Sequence, residues 1–253
     1  MLRKSLILLA AAFALALCPA PASAQNALVN GIDANFPPFA FVGPDGKAAG
    51  FDIEALDWIA AKAGFTVEHR PMEWDSIVQS LKDKKIDIIA SGLSVTPARA
   101  EQIAFTEPYW TINQVILVRN DSPITDAEEA LKGGHSIGVQ RGTSDAAAME
   151  ATNGNDGRNY TLSQYDSYEL AVADVINGRI EAAVMNDAPA AKAASEQDVK
   201  IIGEAGVDKE EFAYGVNKEN PELLAQLNEG LAALKRDPFF QALKDKYRPG
   251  EVH

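Results

Sequence analysis

Apolar residues recur along the chain with two alternating spacings, one typical of helices and one typical of strands. Ile53, Leu56 and Ile59 fall on one helical face, and Gly64 ends this pattern. The run at 65–68 that follows has the composition of a strand. Helical and strand-like segments alternate in this way along the rest of the chain. This order predicts an α/β fold in which helices cover mainly parallel sheets.

One part of this pattern occurs twice. The segment 74–91 matches the segment 168–185 at a constant offset, and both read as an amphipathic helix, a charged turn and a buried strand. Common geometry explains such a match as well as common origin does. In either case Ser91 and the segment 185–187 are predicted to lie at the same end of equivalent strands in two lobes. Open α/β sheets bind ligands beyond the carboxyl ends of their strands.

Two further strand-like runs indicate how the chain passes between the lobes. They lie at 114–118 and 212–216, and no long Pro/Ser-rich linker separates the halves. These runs are predicted to carry the chain across into a second lobe and back. Lobe 1 would then comprise residues 25–114 and 211–253, and lobe 2 residues 115–210.

The N-terminus has the three-part plan of a secretory signal peptide. Arg3 and Lys4 precede an apolar stretch at 6–17, and small residues lead up to Ala24. We expect residues 1–24 to be a signal peptide cleaved after Ala24, and the mature protein to be exported, soluble and free of cysteine. A lipoprotein anchored through Cys18 is the alternative, but the leucine before this cysteine is larger than a lipid-attachment site normally accepts.

Charge and composition exclude several classes of function. The formal net charge of −13 makes nucleic acid and anionic membranes poor partners, because both require a basic face. The three histidines, His69, His135 and His253, are scattered without metal-ligand spacing. The chain contains neither a phosphate-binding loop nor a nucleophile elbow. We therefore predict no metal, no cofactor and no catalytic residues.

The stretch SGLSVTPAR at 91–99 follows a buried-looking strand and predicts an anion-binding site. Thr96 and Pro97 have the pattern of a helix start, which would direct free backbone N–H groups at the small polar residues before it. Arg99 adds a planar set of donors suited to a carboxylate. A second helix start of this kind lies at 142–144. Alternatively, Arg99 pairs on the surface with one of two nearby glutamates, Glu101 or Glu107.

Aromatic and acidic side chains are placed to complete such a site. Phe36 lies in a stiff loop after the first strand, and Trp74 opens a helix, so the two can flank an apolar or cationic group. Asp33 and Asp187 each follow a predicted strand and could accept charged donors. Either acid could instead cap a helix.

Together these residues resemble the polar amino-acid binding proteins of bacterial ABC importers, solute-binding protein family 3. The similarity covers essentially the whole mature chain. It is carried by DANFPPFAF (33–41), GFDIEAL (50–56), SLKDKKIDIIASGLSVTPAR (80–99), IAFTEPYW (103–110), GVQRGTS (138–144) and AAVMNDAP (182–189).

The resemblance implies a two-lobed type II periplasmic-binding-protein fold, joined by two crossover strands, that closes over its ligand. In the family, the arginine at the position of Arg99 grips the ligand's α-carboxylate, and the acid of an Asp-x-Pro element, here Asp187, receives the α-ammonium. Aromatics at Phe36 and Trp74 flank the side chain, and an acid at Asp33 faces its far end. The predicted ligand-binding residues are Asp33, Phe36, Trp74, Ser91, Gly92, Ser94, Arg99, Gln140, Thr143, Ser144 and Asp187.

The family also implies partners and a place in the cell. We expect a monomer in the periplasm that binds a free L-amino acid and delivers it to an inner-membrane ABC permease. Asn186 is an alternative to Asp187 for the acidic position, and Pro189 favours Asp187. The order of expected ligands is cationic, then neutral polar, then acidic, since an acidic ligand needs a second basic group such as Arg141.

An enzyme is the alternative function. The same fold resembles periplasmic cyclohexadienyl (arogenate/prephenate) dehydratases, whose cavity needs a proton donor with a raised pKa beside the leaving hydroxyl. No such acid can be placed from the sequence. The Arg99 and Asp187 pattern for both ends of an amino acid favours plain binding.

Overall fold

The computed structural model describes residues 27–247. The predicted signal peptide, its cleavage site and Cys18 therefore lie outside the described residues, as does the C-terminal stretch 248–253.

Short strands and helices alternate along this chain. The strands are β1 Leu28–Ile32, β2 Asn35–Phe36, β3 Ala40–Val42, β4 Ala48–Ala49, β5 Val67–Pro71, β6 Ile88–Ile89, β7 Ala104–Phe105, β8 Trp110–Ile112, β9 Gln114–Arg119, β10 His135–Gln140, β11 Tyr160–Tyr165, β12 Ala182–Asn186, β13 Val199–Glu204, β14 Glu210–Phe212 and β15 Gly215–Val216. The helices are α1 Phe51–Ala63, α2 Ile77–Lys82, α3 Pro97–Ala100, α4 Ala127–Lys132, α5 Ser144–Thr152, α6 Tyr168–Ile176, α7 Asp187–Glu196, α8 Pro221–Leu234 and α9 Pro238–Tyr247.

Local sequence explains where individual helices begin and end. The predicted helix around Ile53 is α1, and Gly64 ends it with a positive φ of 81°. The helix α8 begins as its sequence suggests, because Asn220 caps the N–H of Leu223 and Pro221 occupies the first turn.

Two five-stranded sheets form the two lobes. The strand order is β5-β1-β6-β15-β7 in lobe 1 and β11-β10-β12-β9-β13 in lobe 2. In each sheet the first three strands are parallel, whereas β15 and β9 run antiparallel to both of their neighbours. The sheets are therefore mixed rather than mainly parallel. The reason is that β9 and β15 enter their sheets directly from the connection between the lobes instead of through a crossover helix.

The two lobes are joined by β8 and β14, which pair antiparallel with each other. The strand-like runs at 114–118 and 212–216 were predicted to cross, but β9 belongs to the sheet of lobe 2 and β15 to that of lobe 1. Of the crossing strands, β8 ends just before the first run, and β14 ends at Phe212, the first residue of the second run. They are short and partly polar, so periodicity did not distinguish them from loops.

Candidate functional site

A small cavity lies between the lobes, at the carboxyl ends of β1, β6, β10 and β12. Ten of the eleven predicted ligand-binding residues line it. The twelve lining residues are Asp33, Phe36, Trp74, Ser91, Gly92, Ser94, Arg99, Gln140, Thr143, Ser144, Tyr168 and Asn186. Of the predicted set, only Asp187 is missing. Tyr168 and Asn186 are the two additions.

The lobes are in contact around this cavity. The Gln140 Nε2 of lobe 2 donates a hydrogen bond of 2.7 Å to Asp33 Oδ2 of lobe 1. The Ser144 Oγ of lobe 2 lies 3.3 Å from the Ser94 Oγ of lobe 1. The structure thus represents the two-lobed fold with its cleft closed.

Arg99 presents its guanidinium to the cavity rather than to the surface. Thr96 caps α3 by accepting a hydrogen bond from the Arg99 N–H at 3.2 Å, which fixes the start of this short helix. The guanidinium donates to two carbonyl oxygens, Ser94 O and Gly142 O, each at 3.0 Å. The guanidinium carbon lies 5.6 Å from the centroid of the Trp74 ring. Within residues 27–247, no carboxylate oxygen lies within 4.0 Å of it, so the alternative surface pairs do not form.

Nearby carboxylates influence Arg99 from a longer distance. Burial lowers the pKa of the Arg99 guanidinium, and the charges of Glu210 and Asp145 oppose this change. Arg141, the other basic candidate, is bonded instead to Asp166 at 2.7 Å and lies outside the cavity lining. Among the described residues, Arg99 is therefore the one cation in the cavity wall.

The second predicted helix start is formed at α5. The Thr143 Oγ1 accepts a hydrogen bond from the Ala146 N–H at 3.1 Å and donates to Gln140 O at 2.7 Å. The Ser144 hydroxyl donates to Glu210 Oε2 at 2.6 Å. This cap places both hydroxyl groups at the edge of the cavity.

The carboxyl end of β1 places a buried acid at the cavity. Asp33 has 4% of its surface exposed, and its Oδ1 accepts a hydrogen bond from the Asn35 N–H at 3.0 Å. Its own N–H donates to Ser91 Oγ at 2.9 Å. Burial raises the pKa of Asp33, the hydrogen bond from Gln140 opposes this, and the charge of Glu73 adds to it.

The backbone N–H of Gly92 does not face the cavity. It donates to Asp52 Oδ2 at 2.6 Å, and Asp52 is fully buried in the first turn of α1. The ring of Phe36 lies against Gly92 where a side chain would otherwise start. The carboxylate of Asp52 therefore fixes the turn after β6.

Asp187 is not among the residues that line the cavity, whereas its neighbour Asn186 is. The Asp187 Oδ2 accepts a hydrogen bond from the Asn113 N–H at 3.2 Å, and its Oδ1 accepts one from the Ala188 N–H at 2.8 Å. Successive side chains at a strand end point to opposite sides, so the two neighbours cannot both face the cavity. Pro189 occupies the first turn of α7. It therefore marks the helix start and not the residue that faces the ligand.

Tyr168 and Asn186 connect the cavity wall to a buried acid behind it. Asp145 has no solvent exposure, and it accepts hydrogen bonds from the Asn186 Nδ2 at 3.1 Å and from the Tyr168 hydroxyl. The internal repeat contains a signal for Tyr168, because it occupies the position that matches Trp74. No local signal marks Asp145, since an acid in the first turn of a helix is also explained by the helix dipole.

Metal and membrane chemistry find no support in the described part of the chain. Between residues 27 and 247, no cluster of three or more histidine, cysteine or acidic side chains has a geometry that would hold a metal ion. None of the helices described there has the length and apolar character needed to cross a membrane.

Comparison with known proteins identifies close relatives of this architecture. The sequence is 30% identical over 237 residues to the ABC transporter arginine-binding protein 1 of Escherichia coli (strain K12), covering 90% of this chain and 93% of the relative. It is 30% identical over 264 residues to the histidine-binding periplasmic protein of the same organism, covering 99% of each. The solved structure of an ancestral arginine-binding protein bound to arginine matches with a TM-score of 0.80 and 32% identity, covering 88% of this chain and 99% of the other.

All three are named as binding proteins. The sequence model of the bacterial extracellular solute-binding proteins, family 3, matches residues 28–250, which is nearly the whole chain. The fold, the interlobe cavity and this match agree. The chain belongs to the bacterial extracellular solute-binding proteins, family 3.

Proposed function

We propose that this protein captures a free L-amino acid with a cationic side chain and delivers it to an inner-membrane ABC permease. The family supplies the general role, that of a binding component and not an enzyme. The chemistry of the cavity supports the choice of ligand. Closure of the lobes holds the ligand because the closed form makes more contacts with it than the open form does.

The observation that carries this proposal is the guanidinium of Arg99. It lines the cavity and, within residues 27–247, is bonded only to carbonyl oxygens. Two of its five N–H donors are used in this way. The remaining fork suits the α-carboxylate of an amino acid, which it can bind through two parallel hydrogen bonds.

The rest of the wall favours a cationic side chain. Asp33 is a buried carboxylate that lines the cavity, and the rings of Phe36, Trp74 and Tyr168 surround the same space. Aromatic faces attract cations, and a buried carboxylate favours a positively charged partner. An acidic side chain would face Asp33 with no second basic residue in the lining.

The proposal also covers the location and assembly of the protein. We propose a periplasmic protein, exported by a signal peptide that is cleaved after Ala24, and a monomer that binds one ligand between its lobes. The periplasmic relatives and the signal-like pattern of residues 1–24 support this.

Thermal unfolding in the presence of candidate ligands tests the proposal. The protein is first unfolded and refolded to remove any ligand carried from the host. L-arginine at a hundred times its dissociation constant should add about 2.7 kcal/mol to the free energy of unfolding, a rise in Tm of roughly 5–10 °C. Arg99→Ala should abolish this rise, because an unpaired buried carboxylate costs about 3–5 kcal/mol.

The control is Arg141→Ala, which removes an arginine whose partner Asp166 lies outside the cavity. It should keep the ligand-induced rise in Tm. The panel includes the other L-amino acids, L-ornithine, L-citrulline, arogenate and prephenate. A rise only with neutral or acidic amino acids would contradict the cationic assignment. A rise only with arogenate or prephenate would contradict the transport role.

A further inference from the structure

Asp145 is a buried carboxyl group directly behind the part of the cavity wall that Tyr168 and Asn186 form. It is the second residue of α5 and has no exposed surface. Its Oδ1 accepts the hydrogen bond from Asn186 Nδ2, and its Oδ2 accepts that from the Tyr168 hydroxyl. In the described chain, no lysine or arginine nitrogen lies within 4.0 Å of this carboxyl group. It is therefore a buried acid without an ion-pair partner, one residue away from the ligand space.

The hydrogen bond to Asp145 decides how Asn186 faces the cavity. An ionised carboxylate can only accept hydrogen bonds, so Asn186 must turn its NH₂ group towards Asp145. The amide oxygen of Asn186 then remains as the acceptor on the side of the cavity that this residue lines. A neutral amide backed by a carboxylate presents more negative potential than the amide alone, because the buried charge acts through a short, poorly screened distance.

We propose that Asp145 is a positioning residue that supplies the negative charge for the ligand's α-ammonium, acting through Asn186 and Tyr168. The proposal rests on the proposed function, since it assigns the ammonium end of the same amino-acid site. It also accounts for the absence of Asp187 from the cavity wall. The acid lies one layer behind the wall, on another helix, and Asn186 takes the place next to the ligand.

The surroundings of Asp145 allow this charge to respond to the ligand. Burial raises the pKa of Asp145 to about 7. The hydroxyl of Tyr168 on α6 opposes the rise, Glu210 on β14 adds to it, and Gln114 on β9 and Arg99 on α3 oppose it. Asn186 on β12 donates to the ionised form. A bound ammonium favours the ionised carboxylate further, so binding below about pH 7 must release a proton.

The first test compares two ligands that differ only in the ammonium group. The probes are L-arginine and δ-guanidinovalerate, which is arginine without its α-amino group, and the affinities are measured by calorimetry. Asp145→Asn should weaken L-arginine binding by roughly tenfold to a hundredfold. It should change the affinity for δ-guanidinovalerate by less than about threefold, because that ligand has no ammonium to balance.

The control is Glu150→Gln, which removes one negative charge from the exposed side of the same helix. It should leave both affinities unchanged. The pH profile gives a second readout that a purely structural role would not produce. Between about pH 5.5 and pH 8, the affinity of the wild-type protein for L-arginine should rise with pH. This rise should be smaller in Asp145→Asn and smaller for δ-guanidinovalerate, where Asp33 is the acid of the cavity wall that can still contribute.

A charge swap tests the assignment even where the single variant disturbs folding. In Asp145→Asn combined with Asn186→Asp, the pair keeps one carboxylate and one amide, but the carboxylate moves to the cavity wall. This double variant should recover most of the L-arginine affinity and show less dependence on pH around neutrality. An equal loss of both ligands in Asp145→Asn, with no recovery in the swap, would overturn the proposal.

Failure of the proposed function would be seen separately. If the wild-type protein binds none of the cationic L-amino acids of the panel, the cationic amino-acid role fails, and the assignment of Asp145 fails with it. If the wild type binds both and the variant affects them equally, the amino-acid role stands and only the Asp145 assignment is overturned.

Discussion

At the scale of single residues, the balance of charge in the cavity wall determines which ligand fits. Among residues 27–247, Arg99 is the one cation of the lining, and Asp33 is the one carboxylate. Asp33 accepts hydrogen bonds from the Asn35 N–H and from Gln140 Nε2. Because Asp33 is buried, its charge interacts strongly with any group that enters the cavity. The two residues together match the two ends of a ligand that carries an α-carboxylate and a positively charged side chain.

Replacing Asp33 by asparagine should reduce the preference for a charged side chain. L-citrulline has the shape of L-arginine without its charge, so the ratio of the two affinities isolates the electrostatic contribution. A hydrogen bond to a charged group contributes about 1.5–3 kcal/mol, so Asp33→Asn should lower the affinity for L-arginine by about tenfold to a hundredfold. The affinity for L-citrulline should change much less.

Calorimetry with both ligands measures this ratio. Asp45→Asn is the control, because Asp45 lies in an exposed turn of the same lobe and accepts only the N–H of Lys47. A parallel loss of both affinities in Asp33→Asn would mean that Asp33 shapes the cavity and does not recognise charge.

The sequence predicts those residues of the cavity wall that are marked by a local pattern, such as a helix cap or a strand end. The capped start before Arg99 and the strand end at Asp33 are local patterns, and both residues lie where those patterns place them. Which of the adjacent residues Asn186 and Asp187 lines the cavity depends on the phase of β12, which the proline in the next helix does not report. Asp145 was missed because its role depends on Asn186, which is distant in sequence.

At the scale of secondary structure, the two lobes use the same device to fix a strand end. Gly92 and Asn186 occupy equivalent positions of the repeat, since each lies 18 residues after its matched aromatic (92 − 74 and 186 − 168). In lobe 1, Asp52 in the first turn of α1 binds the N–H of Gly92. In lobe 2, Asp145 in the first turn of α5 binds the side chain of Asn186. The two lobes therefore share the repeated helix, turn and strand and also a buried acid that binds the residue at the strand end.

The loop before α5 packs closely against the other lobe at Gly142. Gly142 has a φ of 75°, and a Cβ at this residue would lie 2.8 Å from the Cα of Asp75 in the other lobe. Gly142→Ala should therefore hinder the closed form. Forced close contacts of this kind cost typically 1–3 kcal/mol, so we expect a loss of L-arginine affinity of about tenfold to a hundredfold.

A second glycine with a similar φ distinguishes an effect on lobe closure from an effect of local backbone strain. Gly154, also in lobe 2, has a φ of 83°, and a Cβ there would have no neighbour within 4 Å. Both alanine variants pay the cost of a left-handed residue, about 1–2 kcal/mol, in the free energy of unfolding. Gly154→Ala should keep the wild-type affinity in calorimetry. Equal affinities in the two variants would show that this contact does not limit closure.

At the scale of the whole molecule, the sequence predicts the two lobes better than it predicts their connection. Alternating helices and strands, with a repeated unit, were sufficient to indicate two α/β lobes with a site between them. The crossing strands β8 and β14 have three residues each and pair with each other outside both main sheets. Such short strands are specified by their pairing and not by a pattern of their own, so the sequence pattern marks the longer neighbouring runs instead.

The two buried acids Asp52 and Asp145 should make the ligand-free protein less stable as the pH rises. Burial raises the pKa of Asp52 and of Asp145 from 3.8 to about 7. Between these values the folded protein keeps protons that the unfolded chain has released. Their contribution to stability is therefore complete below about pH 4 and is lost as the pH rises through about 7.

Urea unfolding of the ligand-free protein between about pH 5 and pH 8 measures this loss, for which we expect at least about 1 kcal/mol from each acid. The net charge of −13 also destabilises the folded state as the pH rises, so a variant must isolate the buried acids. In Asp52→Asn the side-chain oxygen can still accept the Gly92 N–H, but the group no longer ionises. This variant should lose less stability between the two pH values, whereas the exposed Asp45→Asn should follow the wild type. Identical slopes in all three proteins would mean that the Asp52 carboxyl ionises in the folded state as readily as in the unfolded chain.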